Sequence, residues 1–495
     1  MKKKIESVLR FFPYILLVLI IAFVLIQKFS QNDLYFDIRT GKDILKYGID
    51  FKDHFSFIPG LKYLYHHWFY YLIIYFIYTK FNYVGVFIFF YSLYVLFGLI
   101  LFKTNYKADK NKFLSFIVSI ITLYLMKDFF GTRVQSISYI IFFLEIIFIN
   151  KLYNTGEIKY SIILILMSIL LVNIHMPVWI LYLIFFLPFI AEILFSKFSK
   201  LYNKNITNKL IFCNPKNLKI FLITFIVVIL TGLISPYKFM PYIFFIKTLG
   251  NPYYSYIGEM QKTILINSIP FLIIVFCSII TLIFCKVKAR DFFLIFGLLL
   301  LALFANRHRS YFCTIIPTLI YKIIVENDFK IIKLKLPNFK VNTTLISFVL
   351  TLLLIILYVM CFITLNLKKF NYHENENYPI ETIKYIKKNI DKKNLRIYNN
   401  FNIGSYLAFN DVPNFVDSRA EVFMENFNNS KDILEDIFIN IKKYEDYEKI
   451  IKKYNFNYIL VEKGEILNSY IKDKEDYQLL YNEKNEYFLY SVNLK

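Results

Sequence analysis

LISFVLTLLLIILYVMCFITL, residues Leu345–Leu365, is a run of 21 side chains without a charge. A helix of that length rises about 30 Å, the thickness of a bilayer's hydrocarbon core. Two shorter runs, Phe221–Ile234 (FLITFIVVILTGLI) and Phe271–Cys285 (FLIIVFCSIITLIFC), repeat the pattern, each followed by a short charged patch. Across 495 residues 57% are hydrophobic and 20% aromatic, with 55 Phe and 41 Tyr. A soluble chain of this length could not hide so much apolar surface, because about half of an ordinary composition is polar. The reading is an α-helical polytopic membrane protein.

Working outward, the charge fits that reading. Lys and Arg number 58 against 36 Asp and Glu, a formal net charge of +22. No basic stripe lies on a nucleic-acid-binding fold, whereas cytoplasmic loops of membrane proteins collect Lys and Arg. Membrane lipids are therefore the expected surroundings, and no nucleic acid is an expected partner. The five cysteines (Cys213, Cys277, Cys285, Cys313, Cys361) have no metal-type spacing, and none follows residue 370, so no disulfide framework is offered. The N-terminus reads Met-Lys-Lys-Lys before an apolar stretch from Phe12 to Val24, and Gln27-Lys28-Phe29-Ser30 is a poor cleavage site. This predicts an uncleaved first helix with a cytoplasmic N-terminus.

From that orientation about 11 spans are expected, near 12–29, 83–102, 112–126, 135–150, 160–174, 176–195, 218–234, 264–285, 291–305, 310–325 and 343–366. The turns this places inside, such as Lys103–Lys112, Lys151–Lys159 and Lys286–Arg290, each hold several basic residues, as the positive-inside rule requires. The long loop 30–82 then lies outside. The expected division is a membrane domain over 1–370 and an extracytoplasmic domain over 371–495. In that tail the apolar period changes. Residues 396–400, 414–417, 458–461 and 486–490 read as strands, and 380–389, 403–408, 447–454 and 465–472 as helices, a small C-terminal α/β soluble domain.

Charges beside apolar spans are costly and mark function or a partner. At the expected outer ends of the helices stand Asp33 and Asp37, His66 and His67, Arg133 and Gln135, His175, Glu259, and Arg307-His308-Arg309. Each also has a plain structural reading. His175 beside Pro177 and Trp179 suits an interfacial position, Arg133 can snorkel to headgroups, Glu259 can be solvated, and Asp33 and Asp37 can cap a helix over Gly41–Tyr47. In the tail, Asp417 and Arg419 point the same way on a strand end, suited to pairing or to binding. Taken together, the outer residues describe a pocket with carboxylates on one wall and cations on another. Sugar transfer from a lipid phosphate needs such a pocket: a carboxylate takes the acceptor proton, and cations hold the phosphate as its charge grows. Arg suits that phosphate because its planar fork binds two oxygens. A proton-coupled transporter or flippase of lipid-linked glycans, or a non-catalytic scaffold, is the competing reading; a transporter usually carries paired repeats, which the sequence does not show.

The first loop adds specificity. Asn32-Asp-Leu-Tyr-Phe-Asp-Ile-Arg-Thr-Gly-Lys-Asp-Ile-Leu-Lys-Tyr-Gly48 leads to Asp53-His-Phe-Ser56, Gly60 and His66-His-Trp68. This resembles bacterial polytopic proteins of the GT-C glycosyltransferase superfamily, in the branch grouped with dolichyl-phosphate-mannose protein mannosyltransferases. Arg133-Val-Gln135, Asn173-Ile-His175 and Ser235-Pro-Tyr237 look like that branch's Arg-Pro-Gln, Asn-x-His and Asn-Pro-Tyr elements. In the tail, Asn399-Asn-Phe-Asn-Ile-Gly-Ser-Tyr406 and Phe415-Val-Asp-Ser-Arg419 look like Asn-x-x-x-x-Gly-Gly-Tyr and Phe-x-Asp-x-Arg. The resemblance implies that the acid after the first span, Asp33, is the catalytic carboxylate and that the donor is a polyprenyl-phosphate sugar used outside the cytoplasm. Asp37 stands where many relatives carry His, and Val134 where they often carry Pro. Some superfamily members use a divalent cation and others do not, and no ligand spacing here decides between them.

The expectation is an inverting glycosyltransferase of the cell envelope, a multi-pass protein of the cell membrane. Asp33 is its base with Asp37 beside it, Arg133, Arg307 and Arg309 bind donor phosphate, and His66, His67, Gln135, His175, Glu259 and His308 shape the substrate side. Asp417 and Arg419 are the tail's candidates. The acceptor is a glycan, a lipid or a protein.

Overall fold

The structure is a computed structural model, and it describes residues 12–25, 32–199, 209–248, 253, 256–327, 378–428 and 432–493. The run Leu345–Leu365, with the span expected at 343–366, lies outside the described residues. The chain forms two compact units. One comprises Met1–Phe29, Phe87–Ser235 and Ile257–Phe370; the other comprises Ser30–Val86, Pro236–Tyr256 and Asn371–Lys495.

The first unit is helical. Its helices include Lys112–Met126, Gln135–Thr155, Ile158–Ile174, Leu218–Leu230, Ile269–Phe284, Ala289–Phe304 and Arg309–Glu326. Among the described residues of the chain, three helices are long and apolar enough to cross a membrane: Trp68–Asp109, Gln135–Thr155 and Met176–Lys197. Four shorter ones are also apolar. Asn111 and Asn217 start two of them by accepting the backbone N–H three residues on, each at 3.1 Å. Gly156, at φ +68°, ends the helix Gln135–Thr155 in the left-handed region that glycine adopts without strain.

The outer face is apolar, unlike that of a soluble bundle, and small hydroxyls are buried among the apolar side chains of the interior. Leu166, Ile226, Phe276, Phe296 and Leu300 face outward, while Ser119, Ser168, Thr224 and Thr231 are buried. The small hydroxyls bond across helices: Ser168 to Thr231 at 2.6 Å, Thr224 to Ser161 at 2.7 Å, and Asn105 to Ser119 at 3.0 Å. Helices that associate in lipid pack in this way, because lipid is as apolar as leucine and small polar residues supply the contact. With the composition, this makes the chain a membrane protein. At another point Arg290, 1% exposed, bonds Glu192 at 3.1 Å and Asn154 at 3.1 Å and lies over the Tyr153 ring at 4.7 Å. Glu192 also accepts the Cys213 N–H at 3.2 Å, so the buried pair ties three segments.

The second unit joins segments far apart in sequence. Asn32–Tyr47 is one helix, a full turn and more longer at its start than the helix expected over 41–47. Gly41 allows close approach there, since a Cβ would meet the Tyr71 carbonyl oxygen at 2.3 Å. The helix Trp68–Asp109 breaks at Asn82, where φ is +52°. The tail holds a four-stranded sheet in the order Ile397–Tyr398, Tyr458–Glu462, Tyr487–Val492, Tyr477–Glu483. The first pairing is parallel and the other two antiparallel. Ile459, Leu460 and Val461 are all fully buried, so the central strand is covered on both faces. The helices Ile380–Asn389, Gly404–Phe409, Tyr444–Tyr454 and Ile466–Ile471 flank it in sequence. Residues 414–417, read from sequence as a strand, form instead one isolated bridge, Asn414 to Ser56 of the first loop. Asn414 N donates to Phe55 O and Phe57 N to Asn414 O, each at 3.1 Å.

Candidate functional site

In the second unit the polar residues gather around Arg419. Its guanidinium, 0% exposed, donates from Nε to Asp417 Oδ1 at 2.8 Å, from Nη2 to Asp417 Oδ2 at 2.6 Å, and from Nη1 to Asp53 Oδ1 at 2.7 Å. It is sandwiched by the rings of Phe55 at 3.8 Å and Tyr63 at 4.5 Å. Asn414 donates to Asp417 at 2.9 Å, and the Ser56 N–H to Asp53 at 2.9 Å. Every lobe of the cation is therefore occupied by protein. Asp417 and Arg419 do pair, and the Asp-x-Phe-Ser turn of the first loop is their third member. Asn399 and Gly404 support the same corner. Asn399 donates to Val416 O and accepts from Phe415 N, each at 2.7 Å, and a Cβ on Gly404 would meet Val416 O at 1.8 Å. Gly404 is there for close backbone packing.

Beside this lock lies an acid–imidazole group. Asp33 occupies the first turn of the helix Asn32–Tyr47, where the helix dipole favours negative charge. Asp37, one turn on along the same face, is 3% exposed. His66 and His67 are each 7% exposed, with ring centroids 4.1 Å apart. His66 Nδ1 is 3.2 Å from Oε1 of Glu421, a carboxylate overlooked in the sequence. Burial pushes the Glu421 carboxyl up to about 7; Arg419 opposes the shift, while the charges of Asp417 and Asp33 add to it. Burial, with the Arg419 charge, pushes the His66 imidazole down to about 3, so it is neutral. The sequence signal for Glu421 was its place two residues after Arg419, which by itself marks nothing.

In the first unit Arg133 pairs with Glu259. Burial raises the Glu259 carboxyl, but the charges of Arg133 and Arg307 outweigh this and hold it below its ordinary value. The short turns Gly258–Met260 and Asn306–His308 adjoin, with Asn306 N donating to Gln261 O at 2.9 Å and Arg307 Nη1 3.6 Å from Met260 Sδ. Arg309 donates to Asn306 O at 3.2 Å, with Phe129 and Phe271 rings at 5.7 and 5.9 Å. His308 is pushed down to about 4, first by burial and then by Arg307. Two arginines from two segments, Arg133 and Arg307, thus act on one glutamate. Gln135 begins the helix Gln135–Thr155, and its Oε1 is buried. His175 is 1% exposed and bonds Ser138 Oγ through Nδ1 at 2.6 Å, a packed interior imidazole. A cavity of about 460 Å³ runs along the helix Ala289–Phe304, lined by Phe185, Pro188, Ala191, Gly297, Leu301 and Phe304 among others, all apolar. Its last residue, Phe304, is three positions before Arg307.

Asp33, Asp37, His66, His67, Asp417 and Arg419 thus belong to one unit, and Arg133, Gln135, His175, Glu259, Arg307, His308 and Arg309 to the other. Among the described residues no group of three or more His, Cys, Asp or Glu is arranged to hold a metal ion.

No protein-family model matches the chain, and no curated protein matches it by sequence. Among solved structures it is similar to the Archaeoglobus fulgidus oligosaccharyltransferase tethered to an acceptor peptide containing the NVT sequon. The TM-score is 0.53 at 11% identity, covering 97% of this chain and 73% of that one. The likeness is one of fold.

Proposed function

We propose that this chain is an inverting membrane glycosyltransferase that moves a sugar from a polyprenyl-phosphate-linked donor to an acceptor hydroxyl on the extracytoplasmic face. The observation that carries the reading is the fold, shared over 97% of the chain with an enzyme that glycosylates an acceptor. In the proposed step the acceptor oxygen attacks the anomeric carbon and its proton passes to the Asp33 carboxylate. The bond from that carbon to the phosphate oxygen breaks, and polyprenyl phosphate leaves with the electron pair. Asp33 suits the base because it stands in a helix first turn and is only partly buried. Asp37 lies a turn behind it.

Arg133, Arg307 and Arg309 hold the donor phosphate, whose charge grows as the bond breaks. Arg133 and Arg307 together exceed the single charge of Glu259, leaving room for an anion. The apolar cavity along Ala289–Phe304 suits the donor's lipid tail. His66, His67, Gln135 and His308 serve the acceptor or sugar hydroxyls, and His175 holds the inner wall through Ser138. The acceptor is a glycan, a lipid or a protein. The spans, the cytoplasmic N-terminus and the outward-facing tail follow the basic-loop pattern of the sequence. Sugar transfer from labelled polyprenyl-phosphate donors in membranes tests the reading, with wild type beside Asp33→Asn. Loss of transfer on a folded variant supports it. Undiminished transfer removes Asp33 from the role.

A further inference from the structure

We propose that the cavity between the ends of the helices Trp68–Asp109 and Arg309–Glu326 binds the glycerophosphate headgroup of an anionic membrane lipid, with Lys107 and Lys322 as its phosphate contacts. The cavity has a volume of about 360 Å³, and Asn105, Lys107, Ala108, Thr318, Lys322 and Glu326 are among the residues that line it. All six belong to the first unit. Lys322 follows Arg309 by 13 positions on one helix, about 20 Å along its axis, so the cavity is separate from the arginines assigned to the donor. It lies where the apolar run ending at Leu101-Phe102 gives way to Lys103 and Lys107, and the same helix turns Ile88 and Leu96 outward. In a spanning helix such a change marks the depth of the lipid headgroups, where basic pockets between helices take anionic lipids.

Charge selects the anion. Lys103, Lys107 and Lys151 make no ion pair among the described residues, and the charges of the first two reach the third. Glu326 is not their counter-ion. Lys288 Nζ holds both of its oxygens at 2.9 Å, and Lys322 Nζ stays 3.9 Å from Oε1. Asp291, 1% exposed, answers part of the Lys322 charge from the buried side. A phosphate between Lys107 and Lys322 neutralises what remains. Hydrogen bonding selects the glycerol. Ser119 Oγ gives its single hydrogen to Ser115 O at 2.7 Å, so it can only accept from Asn105 Nδ2, at 3.0 Å. That fixes the amide's orientation and leaves Asn105 Oδ1, buried and without a partner among the described residues, as an acceptor in want of a donor. Thr318 Oγ1 is likewise buried and unpartnered among them. A headgroup carrying hydroxyls supplies both, whereas a choline headgroup has no donor to give.

The test uses the full-length protein in detergent. Native mass spectrometry measures binding of dioleoylphosphatidylglycerol and dioleoylphosphatidylcholine, with sn-glycerol 3-phosphate as the soluble counterpart. Phosphatidylglycerol is expected to bind about tenfold tighter than phosphatidylcholine, or more. A lysine at a lipid phosphate is worth a factor of about five, so Lys107→Gln with Lys322→Gln weakens phosphatidylglycerol by about ten- to thirtyfold. Lys103→Gln with Lys110→Gln removes the same charge outside the cavity and should change binding by less than about threefold. Ala108→Leu narrows the cavity at constant charge and should weaken binding about fivefold or more. Equal losses in the two double variants, or full binding by Ala108→Leu, would mean a diffuse basic surface and overturn the site. Equal binding of the two lipids overturns the headgroup assignment. Binding of sn-glycerol 3-phosphate as tight as that of phosphatidylglycerol assigns the cavity to a soluble phosphate and overturns the lipid reading.

Discussion

Replacing Arg419 by Met keeps the stem's length and removes the guanidinium, and the structure sets the size of the effect. Asp417 and Asp53 are 0% and 1% exposed and would be left in the interior without a counter-charge. Breaking a buried ion pair by removing one partner costs about 3–5 kcal/mol. Loss of the cation between Phe55 and Tyr63 adds about 0.5–2 kcal/mol. The sum is roughly 3.5–7 kcal/mol. At about 2–4 °C per kcal/mol for a unit of this size, Tm falls by roughly 7–28 °C. Thermal unfolding in detergent, followed by tryptophan emission, measures it; Trp68 reports on this unit and Trp179 on the other. Limited proteolysis adds a local reading, because the segment 50–57 loses its anchor and should be cut first. Adding Asp53→Asn and Asp417→Asn to Arg419→Met removes the orphaned charges and should restore a substantial part of the loss. A Tm for Arg419→Met within about 3 °C of wild type would refute the reasoning.

Other perturbations follow from the same geometry. Gly404→Ala drives a methyl into the Val416 carbonyl at 1.8 Å, so the tail corner must shift; a loss of about 3 kcal/mol or more is expected by thermal unfolding. Glu465, pushed up to about 7 by burial against hydrogen bonds from Glu462 N and Asn400, favours the fold while protonated. That contribution is complete below the ordinary glutamate range and is lost as pH rises through about 7. Melting curves at pH 5 and pH 8 should therefore differ less in Glu465→Gln than in wild type. Gly297→Leu enters open space on a helix, so stability should hold or rise by about 1 kcal/mol, while transfer from a lipid-phosphate donor falls as the cavity fills. Unchanged transfer would take the cavity out of the reaction.

What the sequence alone determined was local. A long apolar run must satisfy its backbone within itself and so becomes a helix, which is why Gln135–Thr155, Ile158–Ile174 and Ile269–Phe284 lie where the hydropathy put them. The tail's helix at 380–389 was legible from its period, as was the one expected over 447–454, which begins three residues earlier at Tyr444. The strand Tyr477–Glu483 was not, because a bulge between Leu479 and Tyr481 breaks the alternation that a strand shows. Asp33 and Asp37 stood out as acids beside an apolar segment, yet the helix that sets them one turn apart begins nine residues before the one foreseen at Gly41. Glu421 has no local signal whatever. Its character comes from burial against His66, 355 positions away, and from Arg419, whose second carboxylate partner, Asp53, is 366 residues distant. Periodicity is written into neighbouring residues, whereas burial and charge coupling depend on which distant segments meet, and only the folded chain specifies that.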